Sequence, residues 1–81
     1  MQVTIIGRKH CVWCRKARQL CRANKIPYDY KDLDAPSNAQ LRHWFDIENV
    51  KTVPQIFVIA DGSSQLVGGY EGFERFLKER T

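Results

Sequence analysis

The sequence predicts an α/β protein in which a four-stranded mixed sheet is flanked by three helices, in the order β-α-β-α-β-β-α. Short β-branched or alternating runs mark the strands, and apolar residues three or four apart mark the helices. A strand–helix–strand unit opens the chain, and such a crossover normally yields parallel strands with the helix on one face. The dipeptide Asp61-Gly62 predicts a hairpin between the last two strands.

The first three elements form the crossover unit. Residues 3–6 are a β-branched run that Gly7 ends, which suits a buried strand. A helix is predicted from residue 12 to about Asn24, because small or apolar residues recur there on one side and cations on the other. Residues 28–31 then alternate apolar with polar side chains and predict a half-buried second strand.

The second helix is predicted from its start signal and its apolar stripe. Ser37 with Gln40 three residues later is a capping-box signature, and Pro36 fits just before that start. The apolar stripe at helical spacing consists of Leu41, Trp44 and Phe45. We expect this helix to continue to about residue 48.

The second half of the sheet and the last helix follow. Residues 55–60 predict a central strand, and residues 64–67 predict the strand that returns from the hairpin turn. Gly68 and Gly69 end the sheet. Apolar residues at 73, 76 and 77 are spaced as on one face of a short third helix that runs to the C-terminus.

Length and composition are those of one small globular domain spanning residues 1–81. Hydrophobic residues make up 43% of the chain, and no linker or low-complexity run divides it. No apolar run has the length of a signal-peptide core or approaches the ~20 residues of a membrane span. We therefore expect a soluble, cytoplasmic, monomeric protein with no membrane partner.

The cysteines carry the strongest chemical signal. Three are too few for a secreted disulfide framework, so the close pair Cys11 and Cys14 requires a chemical explanation. At the start of a helix their Cα atoms lie one turn apart, roughly 5 Å, within the range of a disulfide. The helix N-terminus stabilises an anion, so Cys11 is predicted as the thiolate nucleophile. Cys14, one turn further in, is predicted to resolve the mixed disulfide.

The net charge of +4 is unevenly distributed, and some of the cations flank this pair. Residues 1–28 hold seven cations and no acid, whereas residues 29–81 hold six cations and nine acids. Positive potential beside a cysteine stabilises its thiolate and attracts anionic partners. Because the cations surround the thiols and no nucleic-acid motif is present, we expect no nucleic-acid partner.

A metal site is the alternative from a different class. Zinc would require two more ligands, and the candidates His10, Cys21 and His43 include no second close pair. An iron–sulfur cluster between two subunits, with one cysteine from each chain and two external thiols, is a further alternative. We expect no bound metal or cofactor, and we interpret Cys21 as a small core residue.

Three motifs in order make the chain resemble a glutaredoxin almost from end to end. They are residues 7–14 with the cysteine pair, residues 52–58 with the Thr-Val-Pro segment, and residues 68–70 with Gly-Gly-Tyr. The resemblance implies the thioredoxin fold in its minimal glutaredoxin form. It also implies a cis Val53–Pro54 bond, with the Val53 backbone open to a bound peptide beside Cys11.

By resemblance, glutathione is the reductant and disulfide-containing proteins are the substrates. Arg8 would hold the glycine carboxylate of glutathione, with Arg42 as a further candidate for binding it. The other residues that the resemblance assigns to the glutathione groove are Trp13, Thr52, Val53, Pro54, Gly69, Tyr70 and Glu71.

Two departures leave the reductant open. Val12-Trp13 replaces the Pro-Tyr pair of most members, and Glu71-Gly72 stands where members commonly carry an Asp or Thr that contacts glutathione. The alternative is a glutaredoxin-like redoxin recharged by thioredoxin reductase, which would donate electrons to ribonucleotide reductase.

Overall fold

A computed structural model, which describes residues 1–80, contains the predicted seven elements in the predicted order, with one additional 3-10 turn. The strands are β1 (Gln2–Gly7), β2 (Tyr28–Asp32), β3 (Gln55–Ala60) and β4 (Ser63–Gly68). The helices are α1 (Val12–Ala23), α2 (Ala39–Ile47) and α3 (Tyr70–Glu79). None of the helices within residues 1–80 is long and apolar enough to cross a membrane.

The sheet is mixed, as predicted, with the strand order β2-β1-β3-β4. The crossover through α1 makes β1 and β2 parallel, and β1 pairs antiparallel with β3, which pairs antiparallel with β4. The hairpin turn has Asp61 at φ 53° and Gly62 at φ 78°. Two consecutive left-handed residues match the right-handed twist of the flanking strands, which explains the Asp-Gly sequence there.

The sheet is covered on both faces, because buried side chains alternate along β1. One buried cluster joins the sheet to α1 and α3, and a smaller one joins its other face to α2. The first cluster contains Val3, Ile5, Ala17, Cys21, Ile56, Val58 and Phe73. The second contains Ile6, Leu33 and Phe45. The predicted apolar stripes of all three helices therefore face the core.

The packing of α1 brings its N-terminus to the end of β1. Only four residues separate Gly7 from Val12, and within this segment His10 adopts φ 60°. A left-handed residue reverses the chain tightly, and histidine is among the residues that tolerate this conformation. At the other end of α1, Asn24 is the C-cap, as predicted.

The predicted capping box at Ser37 is wrong. Pro36–Asn38 forms a 3-10 turn, and the residue before α2 is Asn38, which makes no side-chain cap. Ser37 lies inside this turn, whereas a capping residue must lie outside the helical backbone. The Asn38 amide instead donates a hydrogen bond to the Asp32 carbonyl oxygen at 2.7 Å and ties the turn to the end of β2.

Gly72 lies where α3 crosses close to β4. A Cβ at this position would collide with the carbonyl group of Val67, its carbon lying 3.2 Å away and its oxygen nearer still. Helix propensity alone would favour alanine by about 1 kcal/mol. The obstacle is backbone, however, so α3 would have to shift, and overpacking of this kind costs about 1–3 kcal/mol.

We therefore expect Gly72→Ala to lower the free energy of unfolding by about 1–2 kcal/mol, measured by urea denaturation. Gly69→Ala is the matched control, because its Cβ would meet only the Pro54 carbonyl oxygen at 3.6 Å, an ordinary contact. A Gly72→Ala protein at least as stable as Gly69→Ala would contradict this account of the crossing.

Candidate active site

Cys11 is the N-cap of α1. Its backbone is extended, at φ −99° and ψ 114°, and its Sγ accepts a hydrogen bond from the Cys14 N–H at 3.3 Å. The Sγ atom also lies 3.9 Å from the Val53 carbonyl oxygen. The sulfur is thus half-buried at the positive end of the helix, where unpaired N–H groups stabilise an anion.

Cys14 is in the opposite environment. Its side chain is fully buried, beneath the end of β1. Burial is the largest of the causes that raise the pKa of Cys14 to about 11, and the hydrogen bond with the neighbouring Cys11 sulfur is the second. Cys14 is therefore a neutral thiol near pH 7, whereas Cys11 is the more accessible sulfur of the pair.

Besides Arg8 and Arg42, seven residues were predicted to bind glutathione, and all seven line a groove of about 450 Å³ next to the cysteine pair. These are Trp13, Thr52, Val53, Pro54, Gly69, Tyr70 and Glu71. The rings of Trp13 and Tyr70 lie 5.4 Å apart and form one wall. The Lys16 ammonium lies 4.4 Å from the centre of the Trp13 ring and adds positive charge there.

The segment before β3 forms the floor of the groove. The Val53–Pro54 peptide bond is cis, as the resemblance predicts. The Gln55 side-chain amide donates hydrogen bonds to the Thr52 carbonyl oxygen at 3.0 Å and to its hydroxyl at 3.3 Å. Gln55 is buried, so this brace holds the backbone of residues 52–54 in place beside Cys11.

Arg8 lies outside this groove. It lines a second cleft of about 200 Å³, whose charged residues are three cations, Arg8, Arg42 and Lys51, and one acid, Asp46. Val53 borders both clefts. The Arg8 Nε atom forms an exposed ion pair with Asp34 Oδ2 at 3.2 Å. The Arg42 guanidinium donates to two carbonyl oxygens, those of Leu33 and Ala35, at 2.8 Å each. Arg42 therefore braces the loop after β2.

Arg75 is a groove residue that no sequence motif predicted. It lies on α3 and lines the groove together with Glu71 and Gly72. Its position one helical turn after Glu71 was the available signal, because residues four apart share a helix face. The groove therefore ends at a pair of opposite charges rather than at an isolated acid.

The remaining cysteine and the predicted metal-ligand candidates do not join the pair. Cys21 is fully buried in the core cluster against α3 and β1, and burial raises its pKa to about 11. Within residues 1–80, no three side chains of His, Cys, Asp or Glu lie close enough together to hold a metal ion.

We expect iodoacetamide at about pH 6 to modify Cys11 well before Cys14 or Cys21, because only Cys11 combines access with a helix N-terminus. Peptide mass spectrometry of a time course measures the order. In Cys11→Ser, labelling under the same conditions should fall to the background rate. First labelling at Cys14 or Cys21 would overturn the assignment of the nucleophile.

Comparisons with known proteins agree with this geometry. The sequence model of the glutaredoxin family matches residues 3–63. Glutaredoxin 1 of Escherichia coli is 33% identical, over 98% of this chain and 95% of its own length. The glutaredoxin of Vibrio cholerae is 31% identical, over 98% of this chain and 93% of its own.

The solved structure of reduced E. coli glutaredoxin is similar to this one with a TM-score of 0.73 and 34% identity, over 98% of this chain and 95% of that one. The predicted thioredoxin fold is thereby confirmed. The chain belongs to the glutaredoxin family of thiol–disulfide oxidoreductases.

Proposed function

We propose that this protein uses both Cys11 and Cys14 to reduce protein disulfides and glutathione mixed disulfides, with glutathione as its reductant. The observation that carries the proposal is the half-buried Cys11 sulfur at the N-terminus of α1, with the buried Cys14 one turn behind it. Disulfide exchange requires one accessible thiolate and a second thiol within reach of the mixed disulfide.

The reaction then runs in two exchanges. The Cys11 thiolate attacks a substrate disulfide, forming a bond to one substrate sulfur while the other leaves as a thiolate. Cys14 then loses its proton and attacks the Cys11 sulfur, which forms the Cys11–Cys14 disulfide and releases the second substrate thiolate. Two glutathione molecules restore the dithiol and leave as glutathione disulfide.

An extended glutathione would reach from one cleft to the other across Val53. Its sulfur would bond to Cys11, and its γ-glutamyl end would lie at the N-terminus of α3, where backbone N–H groups bind carboxylates. Glu71 and Arg75 together match the ammonium and carboxylate of that end. The glycine carboxylate would lie in the cationic second cleft near Arg8.

The assignment of Arg8 is compatible with its ion pair. Arg8 and Asp34 are both about half exposed, and exposed ion pairs are worth about 0–1 kcal/mol. An incoming carboxylate can therefore displace Asp34 at small cost.

We further propose that the protein is a cytoplasmic monomer, that it binds no cofactor, and that ribonucleotide reductase is one of its protein substrates.

The two-thiol mechanism predicts unequal effects at the two cysteines. Cys14→Ser should keep its reduction of small glutathione mixed disulfides, which needs one thiol, and should lose more than about tenfold in the reduction of protein disulfides. Cys11→Ser should lose both activities. Coupled NADPH consumption with glutathione reductase measures each rate, and an equal loss of both activities in Cys14→Ser would argue against separate roles.

The proposed glutathione site predicts that kcat/KM for glutathione depends on the cations of both clefts. Arg8→Ala and Arg75→Gln should each lower kcat/KM for glutathione by about three- to tenfold, more at low salt than at moderate salt. A charge-assisted hydrogen bond is worth about 1.5–3 kcal/mol, less when exposed, and 1.4 kcal/mol is tenfold. Arg80→Gln is the matched control, because Arg80 stacks on Phe76 away from the groove.

Thioredoxin reductase is the second reductant to test, since Val12-Trp13 and Glu71-Gly72 depart from the usual family residues. We expect slower turnover with it than with glutathione and glutathione reductase. Faster turnover by thioredoxin reductase, with no loss in either arginine variant, would replace the glutathione assignment by that of a redoxin.

A further inference from the structure

Cys14 presents a chemical problem that the two-exchange mechanism leaves open. It must become a thiolate to attack, yet burial and the Cys11 sulfur raise its pKa to about 11. A buried thiol with a raised pKa is mostly protonated near pH 7, so groups that stabilise the thiolate favour the attack. Two groups act in that direction, the backbone amide of Arg8 and the hydroxyl of Tyr30.

Tyr30 lies on β2 and extends over the end of β1 toward α1. Its hydroxyl donates a hydrogen bond to the Arg8 carbonyl oxygen at 2.9 Å. The surroundings of Gly7 show that the Tyr30 hydroxyl lies close to the Cys14 sulfur. A Cβ on Gly7 would lie 2.7 Å from Cys14 Sγ and 2.9 Å from Tyr30 Cζ, and it would also collide with the Tyr30 oxygen. The glycine therefore leaves room for both groups at one point.

Arg18 completes the arrangement. Its Cζ atom lies 4.4 Å from the centre of the Tyr30 ring, a cation–π geometry. Its Nε atom is buried and has no hydrogen-bond partner within residues 1–80. The positive charge of Arg18 above the ring makes the Tyr30 hydroxyl a stronger hydrogen-bond donor.

We propose that Tyr30 is a further catalytic residue, which donates its hydroxyl hydrogen bond to the Cys14 thiolate during resolution, and that Arg18 is the positioning residue that polarises it. The inference rests on the proposed resolving role of Cys14. Rotation about the phenolic C–O bond moves the hydrogen from the Arg8 carbonyl to the sulfur as negative charge develops there. The ring itself stays in place.

The step balances without a further reactant. The Cys14 proton passes to water, and the resulting thiolate attacks the Cys11 sulfur. The Cys11–substrate S–S bond breaks and its electron pair leaves with the substrate sulfur. Burial raises the pKa of Tyr30 above its usual range, so the phenol stays protonated and acts as a donor, not as a base.

The charged and titratable surroundings of Cys14 come from few elements. Cys11 faces it from the start of α1, and Tyr30 from β2. The end of β1 contributes backbone, at Gly7 and Arg8. Arg18 acts through the Tyr30 ring. A pH profile of the resolving step therefore reports on a small and defined set of groups.

The test separates the two exchanges with dithiobis(nitrobenzoate), an aromatic disulfide whose thiolate is coloured. One equivalent releases one thiolate when Cys11 is modified and a second when Cys14 resolves the mixed disulfide. Stopped-flow measurement over a range of pH gives both rates. A wild-type protein that releases only the first thiolate would contradict the proposed function itself, apart from any role of Tyr30.

In Tyr30→Phe, we expect the pH midpoint of the second thiolate release to rise by about one unit. The second release is then about tenfold slower near pH 7, whereas the rate of the first release is unchanged. Tyr28→Phe is the matched control, because Tyr28 is on the same strand and has an arginine, Arg22, with its Cζ atom 5.9 Å from the ring centre. The pH profile of Tyr28→Phe should equal that of the wild-type protein. A wild-type profile in Tyr30→Phe would overturn the proposal.

Arg18→Gln keeps the hydroxyl and removes the cation, so its midpoint should rise by a smaller amount. Circular dichroism and urea denaturation check that each variant is folded. If Tyr30→Phe does not fold, Arg18→Gln decides the question: an upward shift supports the proposal, and an unchanged profile overturns it.

Discussion

The hydrogen bond from the Cys14 amide to the Cys11 sulfur, at 3.3 Å, is the interaction around which the site is organised. It exists because α1 begins immediately after Cys11, and α1 begins there because β1 ends at Gly7 with four residues to turn the chain. One backbone donor thus joins the helix start, the proposed nucleophile and the second cysteine. If α1 began one residue earlier or later, Cys11 would no longer be the N-cap and its sulfur would lose this position at the helix N-terminus.

Burial alone does not explain the difference between the cysteines. Cys14 and Cys21 are on the same helix, both are fully buried, and burial raises the pKa of each to about 11. Cys21 is surrounded by apolar side chains of the core, whereas Cys14 has Cys11 and Tyr30 beside it. Polar neighbours therefore distinguish Cys14, the proposed resolving thiol, from Cys21.

Four of the cations in the first 28 residues lie in two kinds of environment. Arg8 lines the second cleft, where it pairs with Asp34, and Lys16 lies over the Trp13 ring that forms part of the groove wall. Arg18 and Arg22 instead lie over the rings of Tyr30 and Tyr28, so their charge is directed at the protein itself. These cations of the first 28 residues are thus divided between the surface beside the cysteines and the tyrosine rings of β2.

Local sequence patterns determined the elements, the helix start at the cysteine pair and the Asp61–Gly62 turn, because each depends on residues within one or two turns of each other. The family motifs likewise identified the groove. The tertiary structure alone decided which distant residues meet: Tyr30 with Cys14, Arg75 with the groove, and Arg8 with the second cleft. These contacts depend on the register of β2 against β1 and on where α3 crosses the sheet, and neither has a local signature in the sequence.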